Sequence, residues 1–249
     1  MALLSARLRR PLPRLADDKR MSVIAHLEEL RRALIISVCA WTLTTIVGFV
    51  FWQRILEFLI HRAGLQKTGL IFLTPTGGFT LGLKIALYVG IVLAAPIIFW
   101  QLWSFVSPGL HDREKRLVLP LTLATSFFFL MGAAFALFTL PLIMRVLLGF
   151  APPDLHFLPA GDELLSFVLA LVIAFGVVFE LPVVLWTLGV LRIISAHWLY
   201  SHRAYWIIGL GLLANLMTPG ADPLTPLIVF APLYLFWEAT ALLLKLTRR

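Results

Sequence analysis

Residues 164–191 form an apolar run that contains one charged residue, Glu180. An apolar run of about 18 or more residues predicts a membrane-spanning helix, because a helix needs that length to cross the hydrocarbon core. Similar apolar segments cover residues 32–52, 79–106, 117–143, 204–217 and 224–244. Lipid offers backbone groups no hydrogen-bond partners, so each of these segments must be helical. The sequence therefore predicts six transmembrane helices, of which residues 164–190 form the fourth.

The composition excludes a soluble domain. The chain is 60% hydrophobic and 14% charged, with a mean hydropathy of +0.94, and so few charges could not cover a core of this size. We expect residues 21–249 to form a single six-helix transmembrane domain. Residues 1–20 are either a basic, disordered tail or an extension that arises from a start codon assigned upstream of Met21.

The spans have two unusual features. The fifth, residues 204–217, provides about 21 Å of helix, against a hydrocarbon core of about 30 Å. Prolines also occur in several spans, at Pro96, Pro120, Pro182, Pro226 and Pro232. The prediction is an all-α, polytopic membrane protein of six transmembrane helices, kinked by prolines into a concave bundle, with the last two spans short.

The distribution of Lys and Arg predicts the orientation. Sixteen of these residues lie in the N-terminal segment, the second-to-third and fourth-to-fifth connections and the C-terminus. Four lie on the opposite side: Arg54, Arg62, Lys67 and Arg145. Because Lys and Arg are retained on the cytoplasmic side, both termini are expected to be cytoplasmic. The net charge of +8 is read as this topology signal and not as a sign of nucleic-acid binding.

Glu180 is the clearest acid at membrane depth. A carboxylate in a span costs at least about 2.5 kcal/mol, so it should face other helices, a water-filled cavity or a partner, or be protonated. Pro182 follows and frees a backbone carbonyl one turn earlier. Such a position is where secondary transporters place their sites, so a proton-coupled carrier that uses Glu180 is one alternative.

Catalytic signatures are missing from the sequence. There is no His-Glu-x-x-His motif, no intramembrane serine or aspartyl protease motif and no P-loop. The single cysteine, Cys39, excludes a disulfide framework and a cysteine metal cluster. The prediction is therefore a protein that is not an enzyme and that carries no metal and no cofactor.

Two charged clusters flank the first three spans on the predicted cytoplasmic side. Residues 22–32 run directly into the first span, and residues 103–116 connect the second span to the third. On pattern alone, Glu29 belongs to a solvated, salt-bridged helix start. Glu114 lies in the first turn of the third span, where an acid suits the helix dipole.

Four motifs of the sequence resemble a known family. HLEELRR (26–32), QLWSFVSPGLHDREKRLVLP (101–120), FGVVFELPV (175–183) and TPGADPLTPL (218–227), the last followed by APLYLFWE (231–238), occur in order along the chain. They resemble the signatures of the TatC family of the twin-arginine translocase. That family forms the receptor and core of a translocase that exports folded proteins, driven by the proton-motive force.

The resemblance implies specific site residues. The family binds signal peptides that carry two consecutive arginines, and the two glutamates that hold this pair match Glu29 and Glu114. Phe105 matches an aromatic residue near the same site and could pack beside the signal peptide. Glu180 matches the family's intramembrane glutamate, for which we expect a polar contact with a neighbouring helix, a partner helix or the inserted peptide.

The resemblance also implies partners and a location. Asn215 and Thr218 match positions at which the family docks its small single-span partners, TatA and TatB. The chain is then expected to act within a multimeric complex in the cytoplasmic (inner) membrane of a prokaryote, as a multi-pass protein with both termini inside.

Overall fold

The computed structural model describes residues 23–66, 70–109, 115–149, 158–217 and 224–247, and within these ranges the chain is almost entirely helical. The helices of the described part are α1 (Val23–Val50), α2 (Trp52–Ala63), α3 (Gly77–Val106), α4 (Val118–Gly149), α5 (Gly161–Val178), α6 (Leu181–Val190), α7 (Ala196–Ser201), α8 (Arg203–Met217) and α9 (Leu224–Leu246). Single 3₁₀ turns cover Ser107–Gly109 and Lys115–Leu117. The predicted tail, residues 1–20, lies outside the described residues.

The helices confirm the predicted all-α membrane fold. Four spans are the single long helices α1, α3, α4 and α9, and the fourth span consists of α5 and α6 together. The fifth span, α8, has 15 residues and is the shorter apolar helix that the sequence predicts. One detail was wrong: the last span is not short, because α9 has 23 residues. Its helix begins at the edge of the apolar segment and continues past it to Leu246.

The fourth span is broken where the sequence places Pro182. Helix α5 ends at Val178 and α6 begins at Leu181, with Phe179 and Glu180 in a turn between them. Pro182 has no N–H to donate to the carbonyl of Val178, and its ring crowds that carbonyl, so the α-helical pattern stops there. Glu180 accordingly becomes the residue that precedes α6.

The other prolines of the spans lie inside helices. Pro96 and Pro232 occur within α3 and α9, and Pro141, which was not among the predicted kink positions, occurs within α4. Pro120 and Pro226 fall in the first turns of α4 and α9, where no N–H is needed for an intrahelical bond. Of the five predicted prolines, only Pro182 coincides with an interruption of the helix.

The core lies among α2–α9, and α1 lies at its edge. Trp237, Phe175 and Leu140 are fully buried. Only 11% of the apolar window of α1 is buried, against 50% for the fourth span. Helix α1 packs mainly on α3, so most of its surface faces lipid or another chain.

Helix α2 is amphipathic and packs across the ends of α3 and α4. Its Leu59 and Ala63 are buried, whereas its charged residues are exposed. Gly64 ends the helix with φ 76° and donates its N–H to the carbonyls of His61 and Ile60. Only glycine adopts this left-handed conformation without strain.

A short contact closes the same end of the bundle. The N–H of Ile71 donates to the carbonyl of Pro159 (3.1 Å), and the N–H of Gly161 donates to the carbonyl of Ile71 (3.0 Å). Lys84 Nζ lies 2.7 Å from Asp162 Oδ1 and donates to Ser166 Oγ at 3.0 Å. Lys84, the charged residue of the second span, is therefore paired with a residue at the start of α5.

Candidate functional site

A cleft of about 280 Å³ opens between the first turns of α1 and the last turns of α3. It brings together two of the predicted site residues, Glu29 and Phe105. Its lining combines charged, polar and aromatic side chains: Glu29, Arg32, Ala33, Ile36, Trp100, Gln101, Ser104 and Phe105.

Glu29 offers this cleft an acceptor that has no hydrogen bond in the described structure. Its side chain is 43% exposed, but its Oε2 atom is shielded from solvent and accepts no hydrogen bond from the described residues. The imidazole Nδ1 of His26 lies 3.9 Å from Oε2, which is too long for a hydrogen bond. A shielded carboxylate oxygen without a donor is costly, so the site favours a ligand that brings one.

Phe105 is held in place by His26. The two rings stack with centroids 4.4 Å apart and planes 13° from parallel. Residues 26 and 29 are three apart on α1 and therefore share a face. His26 thus touches the aromatic residue of α3 with its ring and approaches the carboxylate of Glu29 with Nδ1.

The packing of α1 on α3 positions the cleft. Thr44 Oγ1 donates to the carbonyl of Gly90 at 2.8 Å, and Trp41 Nε1 donates to the carbonyl of Leu87 at 2.9 Å. Farther along α1, a Cβ on Gly48 would lie 3.0 Å from the carbonyl oxygen of Ala86. These close contacts fix the two helices against each other and so determine which side chains meet at their ends.

Two predicted site residues, Glu114 and Thr218, lie outside the described residues. In sequence, Glu114 directly precedes the 3₁₀ turn at Lys115–Leu117. Asn215 is exposed near the end of α8, and nothing in the described structure brings it close to the cleft.

Glu180 lies inside the bundle and away from the cleft. Both of its carboxylate oxygens are shielded, and no side chain of the described residues donates a hydrogen bond to them. Gly176, one turn earlier, contacts the ring of Phe129 on α4. The ring of the adjacent Phe179 packs edge-on against Phe236 of α9, with centroids 4.6 Å apart. The turn that carries Glu180 therefore packs between α4 and α9.

Glu238, the acidic residue of α9, has partners. Its Oε2 lies 3.2 Å from Arg203 Nη2 and accepts a hydrogen bond from the Tyr234 hydroxyl at 3.1 Å. Arg203 also donates to that hydroxyl. Burial, and next the Glu238 carboxylate, raise the pKa of the Tyr200 phenol in α7. This cluster joins the start of α8 to α9.

Sequence reasoning missed His26, Trp100 and Gln101. His26 stands at the start of the HLEELRR motif, but its role depends on a partner 79 positions away, Phe105. Gln101 precedes Phe105 by four residues and so lies on the same face of α3, where a search at helical spacing would have found it. Trp100 precedes Phe105 by five residues, so only the structure reveals that it lines the cleft.

Comparisons with known proteins agree with the geometry. The family model described as Sec-independent protein translocase protein (TatC) matches residues 25–232. A relative of that name from Carboxydothermus hydrogenoformans is 37% identical over 230 residues, which cover 92% of this chain and 95% of the relative. One from Aquifex aeolicus is 37% identical over 234 residues, with coverages of 92% and 97%.

A solved structure agrees as well. The crystal structure of the twin arginine translocase receptor TatC superposes with a TM-score of 0.77 at 37% identity. The match covers 90% of this chain and 100% of that one. These matches give no support to the alternative of a proton-coupled carrier.

Proposed function

This chain belongs to the TatC family and acts in protein translocation as a multi-pass membrane protein, and we propose that it is the component that receives twin-arginine signal peptides. The cleft between α1 and α3 holds the arginine pair. Glu29 and Glu114 are its two acceptors.

The observation that carries this proposal is the orphan oxygen of Glu29 in that cleft. Guanidinium is planar and permanently charged, and it pairs bidentately with a carboxylate. Two arginines call for two carboxylates, and Glu114 supplies the second. Arg32 also lines the cleft but forms no ion pair with Glu29 in the described structure, so Glu29 remains available to the peptide.

Phe105 and His26 form the wall of this site. Their stacked rings offer a flat face beside the carboxylate, and a guanidinium stacks well on such a face. Trp100 adds aromatic surface about one turn along α3. The peptide is therefore bound by charge at Glu29 and by ring contact next to it.

The orientation belongs to the same proposal. The cleft lies at the start of α1, next to the basic N-terminal segment, and the positive-inside rule places that end in the cytoplasm. Both termini are then cytoplasmic in the inner membrane of a prokaryote, and the site faces newly made, folded cargo.

Helix α8 is the docking place for partners of the TatA and TatB type. It has 15 residues, about 22 Å of helix, and leaves Ile208, Leu212 and Leu216 exposed along one stripe. Asn215 lies beside that stripe, and Thr218 follows the helix in sequence. A single-span partner helix would cover the stripe and gain a polar contact at its end, within a multimeric complex.

Glu180 couples recognition to transport. Export is driven by the proton-motive force, and Glu180 is a carboxyl group to which no side chain in the described part of the bundle donates a hydrogen bond. A polar group on a partner helix or on the inserted peptide would satisfy it. Its place between α4 and α9 is separate from the cleft, so the two sites act at different steps.

Peptide binding by two adjacent variants tests the proposal. Glu29→Gln should weaken binding of a twin-arginine peptide by about tenfold, because a charge-assisted pair is lost at a half-exposed site. The matched control is Glu28→Gln, since Glu28 is exposed on α1 and does not line the cleft. The measurement is binding of a labelled peptide to the purified chain, with a twin-lysine peptide alongside.

The variant Glu114→Ala provides a second test of the proposal. It should weaken crosslinking to the twin-arginine peptide and leave an unrelated peptide unaffected. Unchanged crosslinking in this variant, or equal effects of Glu28→Gln and Glu29→Gln, would show that the arginine site lies elsewhere.

A further inference from the structure

A second, larger cavity lies at the opposite end of the bundle from the cleft, between α2 and α4. Its volume is about 710 Å³, within the range of about 300–1,000 Å³ typical of ligand pockets. Most of its lining comes from the exposed face of α2, and two apolar residues of α4 complete it: Arg54, Glu57, Phe58, His61, Arg62, Ala134 and Leu137.

The charges in this cavity do not neutralise one another. Neither Arg54 nor Arg62 forms an ion pair with any carboxylate in the described structure. Arg54 contacts the ring of Phe51, with Cζ 5.9 Å from the centroid. Glu57 is the single acid among the described residues of the lining, so two guanidinium groups face one carboxylate and this part of the cavity is positive.

His61 adds a hydrogen-bond donor. Gln66 Nε2 lies 2.8 Å from His61 Nδ1 and 3.1 Å from the His61 carbonyl oxygen. When the Gln66 amide donates to Nδ1, the neutral imidazole carries its proton on Nε2. The ring then offers an N–H alongside the two guanidinium groups, even without a charge of its own.

The cavity lies at the level of the membrane interface. Trp52, at the start of α2, packs on Gly82, five residues into α3, and tryptophan is enriched at that depth. Phe58, Ala134 and Leu137 form an apolar wall beside the charges. An amphipathic helix with arginines on its polar face and apolar residues at its side is suited to the boundary between headgroups and acyl chains.

We propose that this cavity binds an anionic glycerophospholipid of the leaflet at which α1 ends. Arg54, Arg62 and His61 hold the phosphate, and the start of an acyl chain lies against Phe58, Ala134 and Leu137. A zwitterionic lipid has the same phosphate but brings a cation into a cavity that already has surplus positive charge, so it binds less well. The bound lipid joins α2 to α4 at the edge of the bundle.

Native mass spectrometry of the purified full chain tests this assignment. The protein is mixed with micelles that contain phosphatidylglycerol and phosphatidylcholine in equal amounts, and the bound lipids are identified by mass. The wild-type chain should retain phosphatidylglycerol preferentially. Arg54→Gln with Arg62→Gln should reduce that preference by about 25-fold, since each basic residue near an anionic surface contributes roughly a fivefold effect.

Two control variants separate the cavity from general surface charge. Arg145→Gln removes an exposed arginine from the same end of the bundle but outside the cavity lining, and it should keep the preference. Glu57→Gln should increase it, which keeps the test informative if the double variant unfolds. Equal retention of both lipids by the wild type, or an equal effect of Arg145→Gln, would overturn the proposal.

A soluble competitor identifies the source of the phosphate. Glycerol phosphate in millimolar excess should displace little lipid, because it lacks the acyl chain that the apolar wall contacts. Full displacement by glycerol phosphate would assign the cavity to a free phosphate ligand and overturn the lipid assignment.

Discussion

Among single residues, the most informative are the glutamates whose carboxylate oxygens are shielded and accept no hydrogen bond from any described side chain. Glu29 Oε2 and both oxygens of Glu180 are shielded and accept no hydrogen bond from a side chain of the described residues, whereas Glu238 is paired with Arg203 and Tyr234. Native proteins rarely leave such groups unsatisfied unless a ligand or partner completes them. We therefore propose Glu29 and Glu180 as places of contact with a ligand or partner, whereas Glu238 joins α8 to α9.

Glu180→Ala should separate transport from recognition. The carboxyl lies between α4 and α9, away from the cleft, so its loss should reduce export strongly and change twin-arginine peptide binding by less than about twofold. Both quantities are measured on the same preparations, as export of a folded reporter and as binding of a labelled peptide. Parallel loss of both would show that Glu180 belongs to the recognition step.

At this scale, sequence reasoning identifies candidate residues where they stand in a recognisable motif. Glu29 and Phe105 were predicted from their motifs, and they line one cleft. His26 was not predicted, because it is recognised only by its stacking on Phe105, a residue that is distant in sequence. Glu180 was recognised as an anomaly, but its burial against α4 depends on packing that no local pattern reveals.

At the scale of helices, close contacts at glycine determine how spans meet. A Cβ on Gly132 of α4 would collide with the carbonyl oxygen of Phe175 and lie 2.9 Å from the Cα of Gly176 on α5. Both neighbours are backbone atoms, which cannot rotate away. Glycine here allows α4 and the fourth span to approach closely, as small residues do between membrane helices.

Gly132→Ala should therefore destabilise the bundle. We expect a loss of about 1–3 kcal/mol, the range for overpacking a tight interface. The matched control is Gly209→Ala in α8, where a Cβ would meet no atom within 4 Å and the helix should gain slightly from alanine. The measurement is the unfolding midpoint in denaturing detergent. Equal midpoints for the two variants would contradict the close contact.

Helices were predictable from the sequence where the length of an apolar segment alone determines them. The six spans, including the short fifth, follow directly from the apolar segments. Helix α2 was missed because it has only 12 residues and carries Arg54, Glu57 and Arg62, which read as a charged loop between spans. Its Ile55, Leu56, Leu59 and Ile60 recur at helical spacing, so the signal was present in the sequence.

At the scale of the whole molecule, the two ends of the bundle have different chemistry. One end carries the cleft with an unpaired glutamate between α1 and α3, and the other carries the basic cavity between α2 and α4. The first suits a cationic peptide, and the second suits an anionic headgroup. Helix α1 connects the two ends and is little buried, so it is held mainly by its contacts with α3.

Peptide recognition at the cleft requires that Glu29 contacts an arginine of the signal peptide. A double-mutant cycle tests it most directly, because it isolates the energy of one pair. The cycle combines Glu29→Gln with replacement of each peptide arginine by glutamine, and binding is measured for all combinations by calorimetry. A coupling of about 1 kcal/mol or more with one arginine, and near zero for the same cycle at Glu28, is the predicted result. Additive effects at Glu29 with both arginines would show that Glu29 pairs with neither of them.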